Sequence, residues 1–275
     1  MIAEVYDFMR KSLVLSPVEM GVLFAEWNNY HKSYLLEITA EILHKIDGET
    51  TGALIDIILD EAKQKGTGKW SVQEALKLGI PIPTITAAVN ARNISRYKEE
   101  RIKFSEIYKR PVIDKPGNEF IKVLEDALYL GTITAYVEGM SLLQGASTEY
   151  GYNLPLAEIA RIWGDGCIIR SKFLKIIQQV YNDTPFLSNL LLAPEISSEF
   201  SKKSSNLRLV VIKAKEMGIP VPAFSAALDY FDSLNSVELP ANMIQAQRDY
   251  FGAHTYQRRD KEGIFHTEWQ DIHNV

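Results

Sequence analysis

One phrase occurs twice in this chain. Ala75-Leu76-Lys77-Leu78-Gly79-Ile80-Pro81-Ile82-Pro83-Thr84-Ile85-Thr86-Ala87-Ala88 returns as Ala214-Lys215-Glu216-Met217-Gly218-Ile219-Pro220-Val221-Pro222-Ala223-Phe224-Ser225-Ala226-Ala227, an offset of 139 residues from Pro81 to Pro220. Each copy carries the same local instructions. A glycine takes the left-handed backbone that stops a helix. The prolines then push the residues before them into extended backbone, and the second proline presets the first turn of a new helix. A weaker pair surrounds Trp27 and Trp163, at an offset of 136. Near-equal offsets are what one ancestral helical unit used twice would leave. Such a chain folds by burying the apolar face of each unit against its twin.

The remaining punctuation is helical as well. Ser16-Pro17-Val18-Glu19 has capping-box spacing, with proline at the first helical position where its missing N–H costs nothing. Ser71-Val72-Gln73-Glu74 repeats that spacing and predicts a helix start at Ser71, with Gly79 as the stop. Leu54, Ile57, Ile58 and Ala62 share one stripe at helical period, which predicts an amphipathic helix between the two. Alternating apolar runs bounded by hairpin turns are hard to find. The reading is an all-α protein. Residues 1–231 form a duplicated multi-helix bundle of two similar helical units, roughly 1–130 and 131–231, and residues 232–275 form an extended C-terminal tail. In that tail Leu239-Pro240-Ala241-Asn242 opens a short helix through Tyr250 that Gly252 ends. Phe251, Tyr256, Phe265 and Trp269 carry too much apolar surface for a free tail, which is expected to dock on a partner such as a second subunit.

Charge and cysteine usage exclude several classes. Lysine and arginine total 30 against 35 acidic residues, a net charge of −5, so nothing favours nucleic acid as a partner. Cys167 is the only cysteine, which rules out an intrachain disulfide, fits a reducing compartment and reads as a small buried hydrophobe. No apolar run approaches the ~20 residues of a bilayer span, and the first residues lack a signal-like core. The expectation is a cytoplasmic protein without a membrane partner. His31, His44 and His273 show no metal spacing with one another or with Cys167, and His254 and His266 lack a supporting carboxylate pattern, so no metal site is expected. No Ser-His-Asp arrangement or nucleophile elbow occurs.

Two places could bind an anion. Gln64-Lys65-Gly66-Thr67-Gly68-Lys69-Trp70 sets a hydroxyl between two glycines and a lysine on each side, which suits a small anion. Lys63 and Trp70 stand where a Walker A loop has glycine and Ser/Thr, and a third glycine is lacking for a dinucleotide fingerprint. The competing account is a glycine C-cap with solvated lysines. Arg92 follows the first Pro-x-Pro turn, whereas the second copy has Phe231 at the matching position, so the repeated architecture does not demand an arginine. In the tail, Arg248 and His254 flank Gly252 and could grip phosphate or carboxylate; a surface arginine and a histidine packed among aromatics is the alternative.

Several segments, in chain order, resemble the C-terminal part of 6-phosphogluconate dehydrogenase. They are Trp27-Asn28 with Leu36-Glu37-Ile38-Thr39-Ala40, residues 64–70 and 88–101, Gly166-Cys167-Ile168-Ile169-Arg170-Ser171, and residues 218–230, 239–256 and 261–269. The resemblance implies an all-helical domain that is itself a duplication, and an enzyme that oxidises 6-phosphogluconate with NADP and releases carbon dioxide to give ribulose 5-phosphate. It implies that Lys65 and Thr67 hold the substrate phosphate, that Arg92 joins them, and that Arg248 and His254 are carried by a swapped tail into the neighbouring subunit of a homodimer. It further implies that the family's catalytic lysine and glutamate, and its NADP-binding domain, lie before the segment matched here. No catalytic residue is therefore assigned, and a separate N-terminal half is a candidate partner. Trp163-Gly164-Asp165-Gly166 departs from the family's arginine-bearing Trp-Arg-Gly-Gly. The alternative function is a non-enzymatic helical scaffold or partner-binding module derived from that family.

Overall fold

The computed structural model describes residues 1–269, and His273 falls outside them. Among the described residues the elements are helices, joined by loops and two isolated β-bridges. In order they are α1 (Ile2–Phe8), running on as one π turn (Met9–Leu13), α2 (Pro17–His31), α3 (Tyr34–His44), α4 (Thr67–Leu78), α5 (Pro83–Ser95), α6 (Lys98–Ile107), α7 (Phe120–Tyr150), α8 (Leu156–Gly166), α9 (Phe173–Asp183), α10 (Pro194–Glu216), α11 (Pro222–Leu234) and α12 (Ala241–Gly252). The chain divides into two compact units, Met1–Tyr230 and Phe231–Val275.

α7 is the axis of the first unit. Its 31 residues span about 46 Å at 1.5 Å per residue. Leu124, Leu130, Ile133, Val137 and Met140 on it are fully buried. α10 packs along it, while α2 with α3 and α8 with α9 form antiparallel pairs around it. α2 starts as its sequence dictates, with Ser16 and Glu19 closing a capping box and Pro17 in the first turn. The Gly166-to-Ser171 segment is docked by backbone bonds, Tyr34 N–H to the Arg170 carbonyl at 3.1 Å and Lys172 N–H to the His31 carbonyl at 3.0 Å. Tyr136 adds a hydroxyl bond to the Ile169 carbonyl. Cys167 beside it is half-buried rather than buried. Asp165, in the departing Trp-Gly-Asp-Gly stretch, pairs with Arg161 at 2.9 Å.

The two copies of the repeated phrase make the same turn. Gly79 and Gly218 have φ 66° and 63°. The next N–H closes back on the helix, Ile80 to the Ala75 carbonyl at 2.9 Å and Ile219 to the Ala214 carbonyl at 2.8 Å. Pro83 and Pro222 then open α5 and α11. Each new helix is capped by a carboxylate from the opposite half of the unit. Glu138 on α7 accepts from Thr84 N–H at 2.9 Å and Ile85 N–H at 3.0 Å. Glu4 on α1 accepts from the equivalent pair, Ala223 N–H at 2.7 Å and Phe224 N–H at 3.0 Å.

The amphipathic helix expected over Leu54 to Ala62 does not form. Only a single 3-10 turn appears, Leu54–Asp56, and Ile57, Ile58 and Leu59 are exposed. The cause is tethering from elsewhere. Ile46 and Ala53 form an antiparallel bridge, across a turn in which the Asp47 carboxylate accepts from Glu49 N–H and Thr50 N–H. Asp60 is then gripped by Lys98 at 2.6 Å and Arg101 at 2.8 Å. These fixed points hold residues 57–65 in irregular chain, and a stripe of apolar residues cannot outweigh them.

Candidate functional site

The loop read as an anion site is the beginning of a helix. α4 starts at Thr67, four residues before the start predicted at Ser71. Gly66 precedes it at φ 108°, a backbone that only glycine adopts without strain, and turns extended chain directly into helix. Trp70 N–H makes the first helical bond, to the Gly66 carbonyl at 2.9 Å. Ser71 therefore lies within the helix and donates its hydroxyl to the Thr67 carbonyl at 3.0 Å instead of capping. The competing C-cap account fails for the same reason, since no helix runs into Gly66. The first N–H groups of α4 have no partner within the helix and sit at the positive end of its dipole, where an anion is favoured.

This helix start is fastened along α5. Ala62 N–H donates to Ser95 Oγ at 2.9 Å and Gln64 Nε2 donates to Asn93 Oδ1 at 2.7 Å. A Cβ on Gly68 would stand 2.9 Å from Val89 Cγ2, so the Val89 side chain packs onto the α4 backbone in the space glycine leaves. Residues 62, 64 and 68 thus step past 95, 93 and 89, and Arg92 lies within that interval. The stretch that carries Lys65 and Thr67 runs beside the stretch of α5 that carries Arg92, and all three side chains are exposed. Among the described residues neither the Lys65 ammonium nor the Arg92 guanidinium has an ion-pair partner, unlike Arg101 and Lys98 a short way along, whose pull holds the Asp60 carboxyl well below the usual carboxylate range. Two uncommitted cations, a hydroxyl and open helix N–H groups can hold a phosphate dianion. Among the described residues no group of three or more His, Cys, Asp or Glu side chains is placed to hold a metal ion.

The second unit holds Arg248 and His254. α12 carries Arg248, exposed, with Nη1 bonded to Gln245 Oε1 at 3.2 Å. α12 ends at Gly252, two residues beyond Tyr250, and the left-handed residue that follows is Ala253, φ 48°. Gly252 makes room for a ring, because a Cβ there would lie 2.8 Å from His254 Cδ2 and the imidazole lies directly across it. Gly252 is four residues after Arg248, one turn along the same helix face, so His254 is folded back onto the arginine's side of α12. Phe251 meets the imidazole edge-on at 6.0 Å.

Sequence reasoning passed over Asp249, the side chain that builds this arrangement. It is fully buried. Oδ1 accepts from Thr255 N–H at 2.9 Å and from His266 Nδ1 at 2.8 Å, and Oδ2 from Thr267 N–H at 3.1 Å and Trp269 Nε1 at 2.8 Å. Burial opposes its ionisation, yet the bonds from His266, Trp269, Thr267 and Thr255 outweigh it and hold the carboxyl at about 2. The Asp249 bond in turn raises the His266 imidazole above its ordinary value. A Tyr256–Phe265 bridge closes the hairpin between these donors, with both backbone bonds at 2.8 Å.

Three comparisons bear on this geometry. The profile of the 6-phosphogluconate dehydrogenase C-terminal domain matches residues 1–269. The decarboxylating 6-phosphogluconate dehydrogenase of Synechococcus elongatus is 50% identical over 275 residues. The NADP(+)-dependent, decarboxylating enzyme of Bacillus subtilis is 49% identical over 274 residues. Each alignment covers 98% of this chain and 58% of the relative, so the chain spans little more than half their length. Among solved structures, 6-phosphogluconate dehydrogenase of Plasmodium falciparum, determined in its apo form, with its cofactor NADP+ and with its substrate 6-phosphogluconate, superposes with a TM-score of 0.94 at 45% identity, over 98% of this chain and 58% of that one.

Proposed function

The chain belongs to the 6-phosphogluconate dehydrogenase family, as its C-terminal domain, and on that premise we propose that it is the substrate-binding and dimerisation part of an NADP-dependent 6-phosphogluconate dehydrogenase. What supports this most is that Lys65 and Thr67 flank the open N-terminus of α4, which runs beside the stretch of α5 carrying Arg92. The substrate's phosphate would sit there, neutralised by Lys65 and Arg92 and accepting hydrogen bonds from the Thr67 hydroxyl and the helix N–H groups. Arg248 and His254, presented together on one face of α12, would add an arginine and an imidazole donor from the tail of a second copy.

Residues that could cradle a dinucleotide do not occur among those described: no strand leads into a glycine-rich loop and helix. NADP use is accordingly inferred from the relatives. A cytoplasmic location belongs to the same proposal; no helix among the described residues is long and apolar enough to cross a membrane. Dimerisation is supported by apolar side chains left open on the first unit, with Trp70 65% and Leu76 78% exposed on α4 and Ile107 69% exposed on α6.

Calorimetric titration with 6-phosphogluconate, with the mass in solution measured alongside, tests the reading. The expected result is binding by a dimer, weakened tenfold or more by Lys65→Ala, Arg92→Ala and Arg248→Ala alike, about the loss of one charged hydrogen-bonding group. Absence of binding, or binding indifferent to all three changes, would overturn it in favour of a helical scaffold.

A further inference from the structure

We propose that Asp249 is a positioning residue for the tail's ligand-gripping pair, fixing His254 against Arg248 without itself meeting the ligand. The inference rests on the reading above for what the pair binds, and on the second unit alone for how the pair is held. A carboxylate in the last turn of a helix faces the negative end of the helix dipole, and a buried one has also lost its water. Asp249 has both disadvantages, and it is retained only by gathering four donors from residues 255, 266, 267 and 269. That is more than a helix end requires.

What the four bonds secure is the turn that carries His254. Ala253 and Thr255, on either side of it, both take left-handed backbone, with φ 48° and 61°. Neither is glycine, so each is strained unless something holds it. Both are held by one residue: Ala253 N–H by the Asp249 carbonyl at 2.9 Å, and Thr255 N–H by its Oδ1 at 2.9 Å. The backbone of the histidine between them is thereby held, and its ring lies over Gly252 on the arginine's face. The other oxygen, through Thr267 and Trp269, prevents the hairpin from peeling away and releasing that turn. Arg248 and Asp249 are neighbours in sequence but point about 100° apart around the helix, so the arginine remains outside while the aspartate anchors its companion.

Asp249→Asn discriminates this from a merely structural role, because it keeps size and leaves one oxygen. That oxygen can serve Thr255 and His266, while the new NH2 group confronts two donors. The chain should stay folded by circular dichroism. The His254 ring protons should lose the ring-current shift imposed by Phe251, and the Thr267 amide, left facing the new NH2 group, should lose about tenfold in exchange protection, the equivalent of one charged hydrogen bond. Affinity for 6-phosphogluconate should fall by a factor similar to that of His254→Ala, and the double variant should lose no more than either single one. Trp269→Phe, removing one donor, should show the same changes in weaker form. Unchanged His254 signals in folded Asp249→Asn protein would overturn the proposal whatever the ligand data say. If those signals move while His254→Ala and Arg248→Ala leave 6-phosphogluconate binding intact, positioning stands and the assignment of the pair to that ligand falls.

Discussion

Lys65, Thr67 and Arg92 are exposed, and among the described residues neither cation is ion-paired, in contrast to Lys98 and Arg101. Removing such side chains changes stability by no more than about 0.5 kcal/mol. Lys65→Ala and Arg92→Ala should therefore leave the melting temperature within a degree or two while binding of 6-phosphogluconate drops, a separation that calorimetric melts and titrations would show together. Gly68 makes a different prediction. A methyl group there collides with Val89 Cγ2 at 2.9 Å, so Gly68→Ala should push α4 off α5 and weaken binding without removing any charge. Val89→Ala in the same protein should restore part of the loss. Recovery of affinity in the double variant is the outcome that ties the site to the packing of Val89 against Gly68 rather than to the lysines alone.

At the scale of elements, α5 and α11 depend on carboxylates borne by other helices. Glu138 is wholly buried, and burial raises its carboxyl above the ordinary value against the pull of its bonds to Thr84 and Ile85. Because the native state holds that proton more tightly than the unfolded chain does, the contribution of Glu138 to stability is complete below the unfolded value and declines as pH rises through the native one. Glu138→Gln should flatten this dependence, and Glu138→Ala should cost about 2–3 kcal/mol by leaving two buried N–H groups bare, both measurable as urea unfolding free energies across pH. α12 responds with opposite and matching signs. Asp249 contributes above its unfolded value near 3.9 and loses that contribution as pH falls towards about 2. His266, raised by Asp249, contributes fully below about 6.5 and less as pH rises through its native value. Protection of the Thr255 and Thr267 amides should thus be greatest between roughly pH 4 and 6.5, and His266→Gln should remove the decline on the alkaline side.

Across the whole molecule, what could be read from the chain was what neighbouring residues decide among themselves. The Gly-Ile-Pro-x-Pro turns and the Ser16 cap close within six residues, and the structure has both. The stripe over Leu54 to Ala62 misled because its fate lies with Asp60 and the cations of α6, some forty residues on. Asp249 was invisible because its donors arrive 6 to 20 residues later and resemble ordinary tail residues. Glu4 and Glu138 gave no local sign at all, with partners 219 and 54 residues away. The shared turns, and caps exchanged between them, support the inference that the first unit descends from a duplicated helical ancestor.

That exchange of caps also sets a timetable for synthesis. Glu4 leaves the ribosome 219 residues ahead of Ala223, whose N–H it serves together with that of Phe224. At roughly 5–20 residues per second, the interval is on the order of ten to forty seconds. Throughout it α1 has its carboxylate idle, and α11 does not yet exist to receive it. Closing a loop of that length is a slow, late event. The nascent chain should accordingly remain open to proteases and chaperones until the second Pro-x-Pro turn emerges, and then close as a whole rather than half by half.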